Sequence, residues 1–221
     1  MQTIYSISLN GENFQALPQK ALFWIGEQAL LISDLHLGRA AHLRKSGFAL
    51  TDMVHEKDMA KLAAVATQKE AKTIYILGDL FHSRSKGDTT VLETIIKDSK
   101  ANWILVKGNH DVFTDEYYLS IGFQKVVSRI LVRNKVLLIH EPDNKDLKSY
   151  LCISGHVHPG FRIKGRAKQS LKLPCFYIKK SQIILPALGE TTGLFTVNLK
   201  GPQEWVIVCY KQMLKSISKV I

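Results

Sequence analysis

Seven side chains with oxygen or imidazole donors stand in five short motifs. They are Asp34-Leu35-His36, Gly78-Asp79, Gly108-Asn109-His110-Asp111, His140 and Gly155-His156-Val157-His158. Carboxylate, amide and imidazole groups are ligands for divalent transition metals. Asp34, His36, Asp79, Asn109, His140, His156 and His158 exceed what one ion needs and suffice for two, with a carboxylate shared between them. In Asp34-x-His36 and His156-x-His158 the i, i+2 spacing puts both side chains on one side of an extended segment, where they can ligate together. Glycines 78, 108 and 155 let the backbone turn sharply there. One Asp-x-His or Gly-Asp arises by chance in many proteins, but five pieces in this order, each after an apolar run, are a joint signal.

The elements that must carry these groups are legible as apolar runs of strand length. They are Thr3–Leu9, Ala21–Ile25, Ala29–Ser33, Thr73–Leu77, Asn102–Val106, Lys135–Ile139, Tyr150–Ser154, Gln182–Leu185, Leu194–Val197 and Glu204–Cys209. Five of them run directly into the motifs, and ligands collect outside the carboxyl ends of strands in α/β sheets. Two helices interrupt the first half. One begins near Thr51 and carries Met53, Met59, Leu62, Ala63 and Val65; the other follows Asp88 with a stripe of Val91, Leu92, Ile95 and Ile96. A short helix is expected around Thr114–Leu119. Strand and helix alternate first and strands dominate from about Lys125, which predicts an α/β sandwich of two sheets rather than one doubly wound sheet. With no repeat or linker, residues 1–221 read as a single domain, with Lys211–Ile221 as a short basic helix or a frayed tail.

Composition excludes several classes. Of 221 residues, 46% are hydrophobic and 22% charged, which is ordinary globular usage and not that of a disordered, collagen-like or coiled-coil chain. No apolar run approaches the ~20 residues that span a bilayer, and the start MQTIYSISLNGENF lacks a secretory pattern. Cys152, Cys175 and Cys209 are an odd count without CxxC spacing, which fits a reducing cytoplasm and not a disulfide framework. Lys and Arg total 30 against 19 Asp and Glu, a net charge of +11. Such a surplus attracts polyanions, nucleic acid or acidic lipid, or is simply a lysine-rich soluble surface.

The motif series resembles the calcineurin-like metallophosphoesterases. That resemblance implies a four-layer α/β/β/α sandwich with two mixed sheets and the metals above the strand ends. It implies one metal on Asp34, His36 and His158, a second on Asn109, His140 and His156, Asp79 bridging them, and His110 as general acid. Here His140 precedes Glu141-Pro142 rather than the Gly of many members. The segment from Gly155 to Phe176, with DLHLG, GDLFHS, IHEP and ILPALGETTG, is similar to a bacterial subfamily described as ligase-associated DNA damage response endonucleases or phosphodiesterases. Its members are encoded beside a DNA ligase and a helicase and mostly use manganese. Gly78-Asp79 lacks the Asp-Arg-Gly continuation of Ser/Thr protein phosphatases. Gly78-Asp79-Leu80-Phe81-His82 resembles the nuclease subunit of the double-strand-break repair complex, in which the counterpart of His82 is an active-site histidine that helps position substrate. The alternative is that His82 simply begins a loop.

The chemistry expected of such a site is phosphoester hydrolysis. Two divalent ions against two carboxylates leave the shell at about +2, a trap for phosphate. A hydroxide shared by ions ~3.5–4 Å apart attacks phosphorus in line, and the His110 imidazolium protonates the leaving oxygen. Nitrogen and oxygen ligands admit Mn, Fe or Zn, and the resemblance favours Mn. Arg162, Lys164, Arg166 and Lys168 alternate along the chain just after His158, so that in a strand all four face one side, spaced to follow a nucleic-acid backbone. The competing reading is a charged edge strand protected from aggregation. Phe161, Phe176 and Tyr177 are available to stack bases or to pack in the core. Three functions therefore compete: a DNA phosphodiesterase or endonuclease of the repair system, a small-substrate phosphomonoesterase or cyclic-nucleotide phosphodiesterase, and a non-catalytic module of the same fold.

Overall fold

In the computed structural model the near-continuous apolar runs Ala29–Ile32 (β4), Thr73–Leu77 (β5) and Asn102–Val106 (β6) pair in parallel at the centre of one sheet. Strands buried on both faces have this composition. Tyr5–Leu9 (β1), Glu12–Ala16 (β2) and Leu22–Trp24 (β3) extend the sheet antiparallel on one side, and Lys125–Val127 (β7) closes the other side in parallel. The structure describes residues 4–45, 47, 53–82, 89–142, 149–165 and 169–218.

The second sheet is also mixed. Its path from one edge is Phe195–Thr196 (β14), Pro159–Lys164 (β11), Ser170–Lys179 (β12), Gln182–Ile184 (β13), Leu151–Ser154 (β10), Val136–Ile139 (β9) and Arg129–Val132 (β8). Trp205–Tyr210 (β15) pairs with β12, and Met213–Ser218 (β16) pairs with β15. The two sheets face each other across a core of Phe14, Leu22, Trp24, Leu31, Leu77 and Val106 against Val136, Leu138, Ile153, Phe176 and Ile183.

The helices lie on the first sheet's outer face. Met53–Gln68 (α2) buries Met59, Leu62 and Val65, Thr89–Asp98 (α3) buries Leu92 and Ile96, and Asp115–Ser120 (α4) buries Tyr118. The expected α/β sandwich of two mixed sheets is what the chain forms, and its described residues supply three of the four layers. The second sheet's outer face carries a smaller cluster around Cys175, Tyr177, Val197, Val206 and Val208, against which Phe161 and Ile163 pack.

Several boundaries differ from the sequence reading. The α3 stripe is narrower, because Val91 is exposed. Thr51 and Asp88, expected to start the two helices, lie outside the described residues. Met213–Ser218 form a strand, not a basic helix or frayed tail: Leu214 of β16 is buried and pairs with Cys209, and residues 219–221 lie outside the described residues. Arg39–Lys45 (α1), too short to show a period, was not legible in the sequence.

Candidate metal centre

The strands β4, β5 and β6 of one sheet and β9 and β10 of the other end at one mouth, and each motif lies just beyond its strand. Two clusters form there, Asp34 with His36 and His158, and Asp79 with His140 and His156. Their sequence spacing does not work as a continued strand would. Asp34, His36, Asp79, His156 and His158 all have left-handed backbones, with φ between 47° and 68°. Non-glycine residues adopt this region at a cost of about 1–3 kcal/mol each, and such strain concentrates at functional sites. The kinks also separate the two histidines of His156-x-His158, which extended geometry would have kept together: His156 joins Asp79 and His140, while His158 joins Asp34 and His36.

The kinked segments are held by main-chain bonds. Asp34 N donates to Gly78 O at 3.0 Å and His36 N to Asp79 O at 2.9 Å, so the first two motifs run side by side. Gly78 (φ 79°) lies against the His140 ring, where a Cβ would collide. Asp111 ties the second motif to the third. Its Oδ2 accepts from Asp79 N (2.9 Å) and Gly108 N (2.7 Å), and its Oδ1 accepts from Leu80 N (3.0 Å) and the Tyr118 hydroxyl (3.3 Å). Its partners are 31–32 residues upstream in two of these bonds, so the sequence alone could not assign it a role.

Asp79 stands between the clusters. Its Oδ2 lies 3.5 Å from His36 Nε2 and its Oδ1 3.4 Å from His140 Nε2, one carboxylate oxygen toward each side. Asp34 Oδ1 lies 3.2 Å from His158 Nε2. Asn109 is drawn into the second cluster, with its Oδ1 3.2 Å from His140 Nε2, and His156 Nδ1 is 3.1 Å from the same nitrogen.

The protonation pattern fits cations. His140 Nδ1 lies 2.8 Å from Leu77 O, a carbonyl that can only accept, so the ring proton resides there. Nε2 faces an Asp oxygen, an Asn oxygen and a His nitrogen, a convergence of ligand-type atoms that a metal satisfies. His36 is 1% exposed and neither ring nitrogen has a hydrogen-bond partner. Burial chiefly, against the attraction of Asp34, pushes its pKa down to about 3, so the ring is a neutral donor at physiological pH. Burial pushes Asp34 up, but the hydrogen bond and charge of His158 outweigh it and hold the carboxyl below its usual range.

The remaining candidates divide. His110 N donates to Asp79 Oδ1 at 3.0 Å, and its ring centroid is 5.4 Å from that of His36. His82 stands 5.7 Å from both His36 and His110, stacked on the latter, so the structure brings it into the group. Arg162 and Lys164 are exposed on β11, and strand pairing sets Lys172 opposite Arg162 on the same face. Arg166 and Lys168 lie outside the described residues. Phe176 and Tyr177 are buried, and Phe161 packs on the second sheet's outer cluster, so core packing claims all three.

Two facing sheets with paired Asp/His clusters at their strand ends define a metal-dependent phosphoesterase, a hydrolase. The chain belongs to the calcineurin-like phosphoesterase family, whose sequence model matches residues 28–207. Among solved structures it is similar to the Pseudomonas putida nuclease MPE, with 25% identity and a TM-score of 0.79 over 97% of this chain and 100% of that one. It is also similar to AQ665 of Aquifex aeolicus, a protein of unknown function, with 25% identity and a TM-score of 0.43 over 59% of this chain and 78% of that one. The E. coli phosphoesterase Yfce aligns with 13% identity and a TM-score of 0.45 over 86% and 98% of the two chains. No match was found among curated proteins. No helix among the described residues is long and apolar enough to cross a membrane.

Proposed function

We propose that the protein is a binuclear phosphodiesterase that cleaves single-stranded DNA in cytoplasmic DNA repair. The observation that carries this reading is Asp79, one oxygen toward each cluster, in a chain alike over nearly its whole length to a nuclease. Asp34, His36 and His158 would hold one ion and Asn109, His140 and His156 the other, with Asp79 shared and manganese the expected metal. Bound there, divalent ions supply the charge that holds a phosphate and the activation of water as nucleophile.

The chain's own residues do the rest. Asp111 fixes the Asp79 and Gly108 turns in register through three backbone N–H groups. His110, as imidazolium, gives its ring proton to the leaving oxygen, a step worth ~10²–10⁴ in rate. His82, stacked on His110, limits the orientations of that ring and lines the approach to it. Arg162, Lys164 and Lys172 meet the phosphates that follow the scissile one. The DNA ligase and helicase of the related bacterial systems are the partners this reading expects.

The test is a comparison of manganese-loaded protein on an oligodeoxythymidine, on bis(p-nitrophenyl) phosphate and on p-nitrophenyl phosphate. Cleavage of both diesters with little monoester hydrolysis is expected. His110→Ala should cut turnover of the oligonucleotide, whose alkoxide needs a proton, far more than that of the nitrophenyl diester, whose phenolate does not. Monoester hydrolysis without oligonucleotide cleavage would transfer the assignment to the small-substrate class.

A further inference from the structure

A cavity of about 380 Å³, the size of a small-ligand pocket, is walled by parts of both sheets, and no residue of the two clusters lines it. One wall is the turn of Pro18, Gln19 and Lys20 that precedes β3. Leu22 of β3 pairs antiparallel with Leu31 of β4, so this turn stands at the end of the sheet where β4 delivers Asp34. Another wall is Leu188 and Glu190, in the loop after β13. Leu188 N donates to Ser33 O at 2.9 Å and Gly189 N to Asp34 O at 3.1 Å, so the loop is bonded to the segment that carries a candidate ligand. Helix α2 contributes Asp58 and Lys61, and the hairpin between β15 and β16 contributes Lys211.

The charges in this cavity are arranged around an anion. Glu190 Oε1 lies 3.1 Å from Lys61 Nζ and 3.6 Å from Lys20 Nζ. Both ammonium groups have anchors besides Glu190: Lys20 Nζ donates to Leu188 O at 3.2 Å, and Lys61 Nζ is 3.6 Å from Asp58 Oδ1. Asp58 is buried and held in place, because its Oδ2 accepts from Glu190 N at 3.1 Å. The Glu190 side chain, in contrast, is half exposed, and exposed ion pairs contribute little. Its carboxylate can swing into solvent and leave two fixed lysines to another anion. Lys20, Lys61 and Lys211 against Asp58 then leave a formal 3 − 1 = +2. A phosphate monoester carries about −1.5 to −2 at neutral pH and an internal diester about −1, so the balance fits the monoester. Pro18, Leu173, Pro174 and Leu188 add apolar wall, and Gln19 and Gln212 add amide donors and acceptors. A cluster that served only to tie α2 to the loop would need neither the cavity nor these walls.

We propose that this cavity binds a nucleoside monophosphate, its phosphate on Lys20 and Lys61 in place of Glu190 and its nucleoside on the apolar wall. The ligand class is read from this cavity, so the proposal goes beyond the nuclease reading and does not depend on it. Such a group reaches the protein from two sources, the phosphorylated end of a DNA strand and a free nucleotide.

Isothermal titration in EDTA, which keeps metal out of the centre, compares wild type, Lys61→Gln and Glu190→Gln with thymidine 5′-monophosphate and with thymidine. Both side chains are about half exposed, so the variants keep the fold. Wild type should bind the monophosphate and prefer it to thymidine. Lys61→Gln should lower that affinity about tenfold, the low end for a hydrogen bond to a charged group. Glu190→Gln should raise it, because the competing carboxylate is gone. No binding by wild type, equal affinity for the two ligands, or losses of equal size in both variants would overturn the proposal and leave the cluster as a tie between α2 and the loop. With manganese, oligodeoxythymidine carrying a 5′-phosphate or a 5′-hydroxyl then separates the sources. A lower KM for the phosphorylated strand that Lys61→Gln abolishes assigns the strand end, and equal KM values beside intact monophosphate binding assign the free nucleotide. Wild type that binds the monophosphate but cleaves no oligonucleotide would remove the nuclease reading and leave this site standing.

Discussion

Replacing Asp111 tests whether the centre is assembled by a single buried carboxylate. Asp111 is 6% exposed, and burial, opposed by its backbone hydrogen bonds, raises its pKa. In Asp111→Ala the N–H groups of Asp79, Leu80 and Gly108 lose their acceptor. Each buried donor left unpaired costs about 1–3 kcal/mol, and three that share one relaxing turn cost roughly 3–6 kcal/mol together. For a chain of this size each kcal/mol lowers Tm by about 2–4 °C, so a fall of roughly 6–24 °C is expected. Asp111→Asn should behave differently. With its amide oxygen in the Oδ2 position, it still accepts from Asp79 and Gly108, and its NH2 group donates to a turned Tyr118 hydroxyl. Only Leu80 N is orphaned, at a cost of about 1–3 kcal/mol. Denaturant unfolding in EDTA measures both without a contribution from bound metal. Adding manganese should widen the gap to wild type, because a ligand that prefers the intact site adds stability by mass action. A loss below about 1 kcal/mol in the alanine variant, or equal losses in the two variants, would refute the tie between the turns.

Other outcomes follow from the same geometry. Asp79→Asn should abolish hydrolysis and reduce bound metal to fewer than two ions per chain by elemental analysis; two ions still bound would remove the shared-ligand assignment. Replacing Arg162, Lys164 and Lys172 with Gln should flatten the log K against log salt slope for single-stranded DNA by about two units, at ~0.7 per phosphate contact. An unaltered slope would leave the cationic face without a role in binding. Asp58, buried on α2, accepts from Glu190 N at 3.1 Å and has its pKa raised, chiefly by burial and against the charge of Lys61. A carboxyl raised in the folded state contributes most when protonated and loses that contribution as pH rises through its folded value. Asp58→Asn should therefore gain in Tm on wild type between pH 4 and 7, whereas a deficit that grows with pH would mean that the pair with Lys61 outweighs burial.

The sequence by itself determined the inventory. Apolar runs ending in Asp34, Asp79, Asn109, His140 and His156 specified buried strands with ligand-type side chains at their carboxyl ends, because periodicity and residue type are local properties. The alternation of Arg162 and Lys164 on one strand face was legible for the same reason. The partition between the clusters was not a local property; it was expected only from the family resemblance. It depends on left-handed kinks at His156 and His158, which hydrogen bonds from remote strands impose against local preference. Lys172 joined the basic face only through pairing across a hairpin. Phe161, Phe176 and Tyr177 went to the core, because burial is set by which sheet face a residue meets, not by its type. Asp111 gained its role only when folding brought Asp79, Leu80 and Gly108 to its two oxygens, and a hydrogen bond between residues 31 positions apart leaves no trace in a single chain's local pattern.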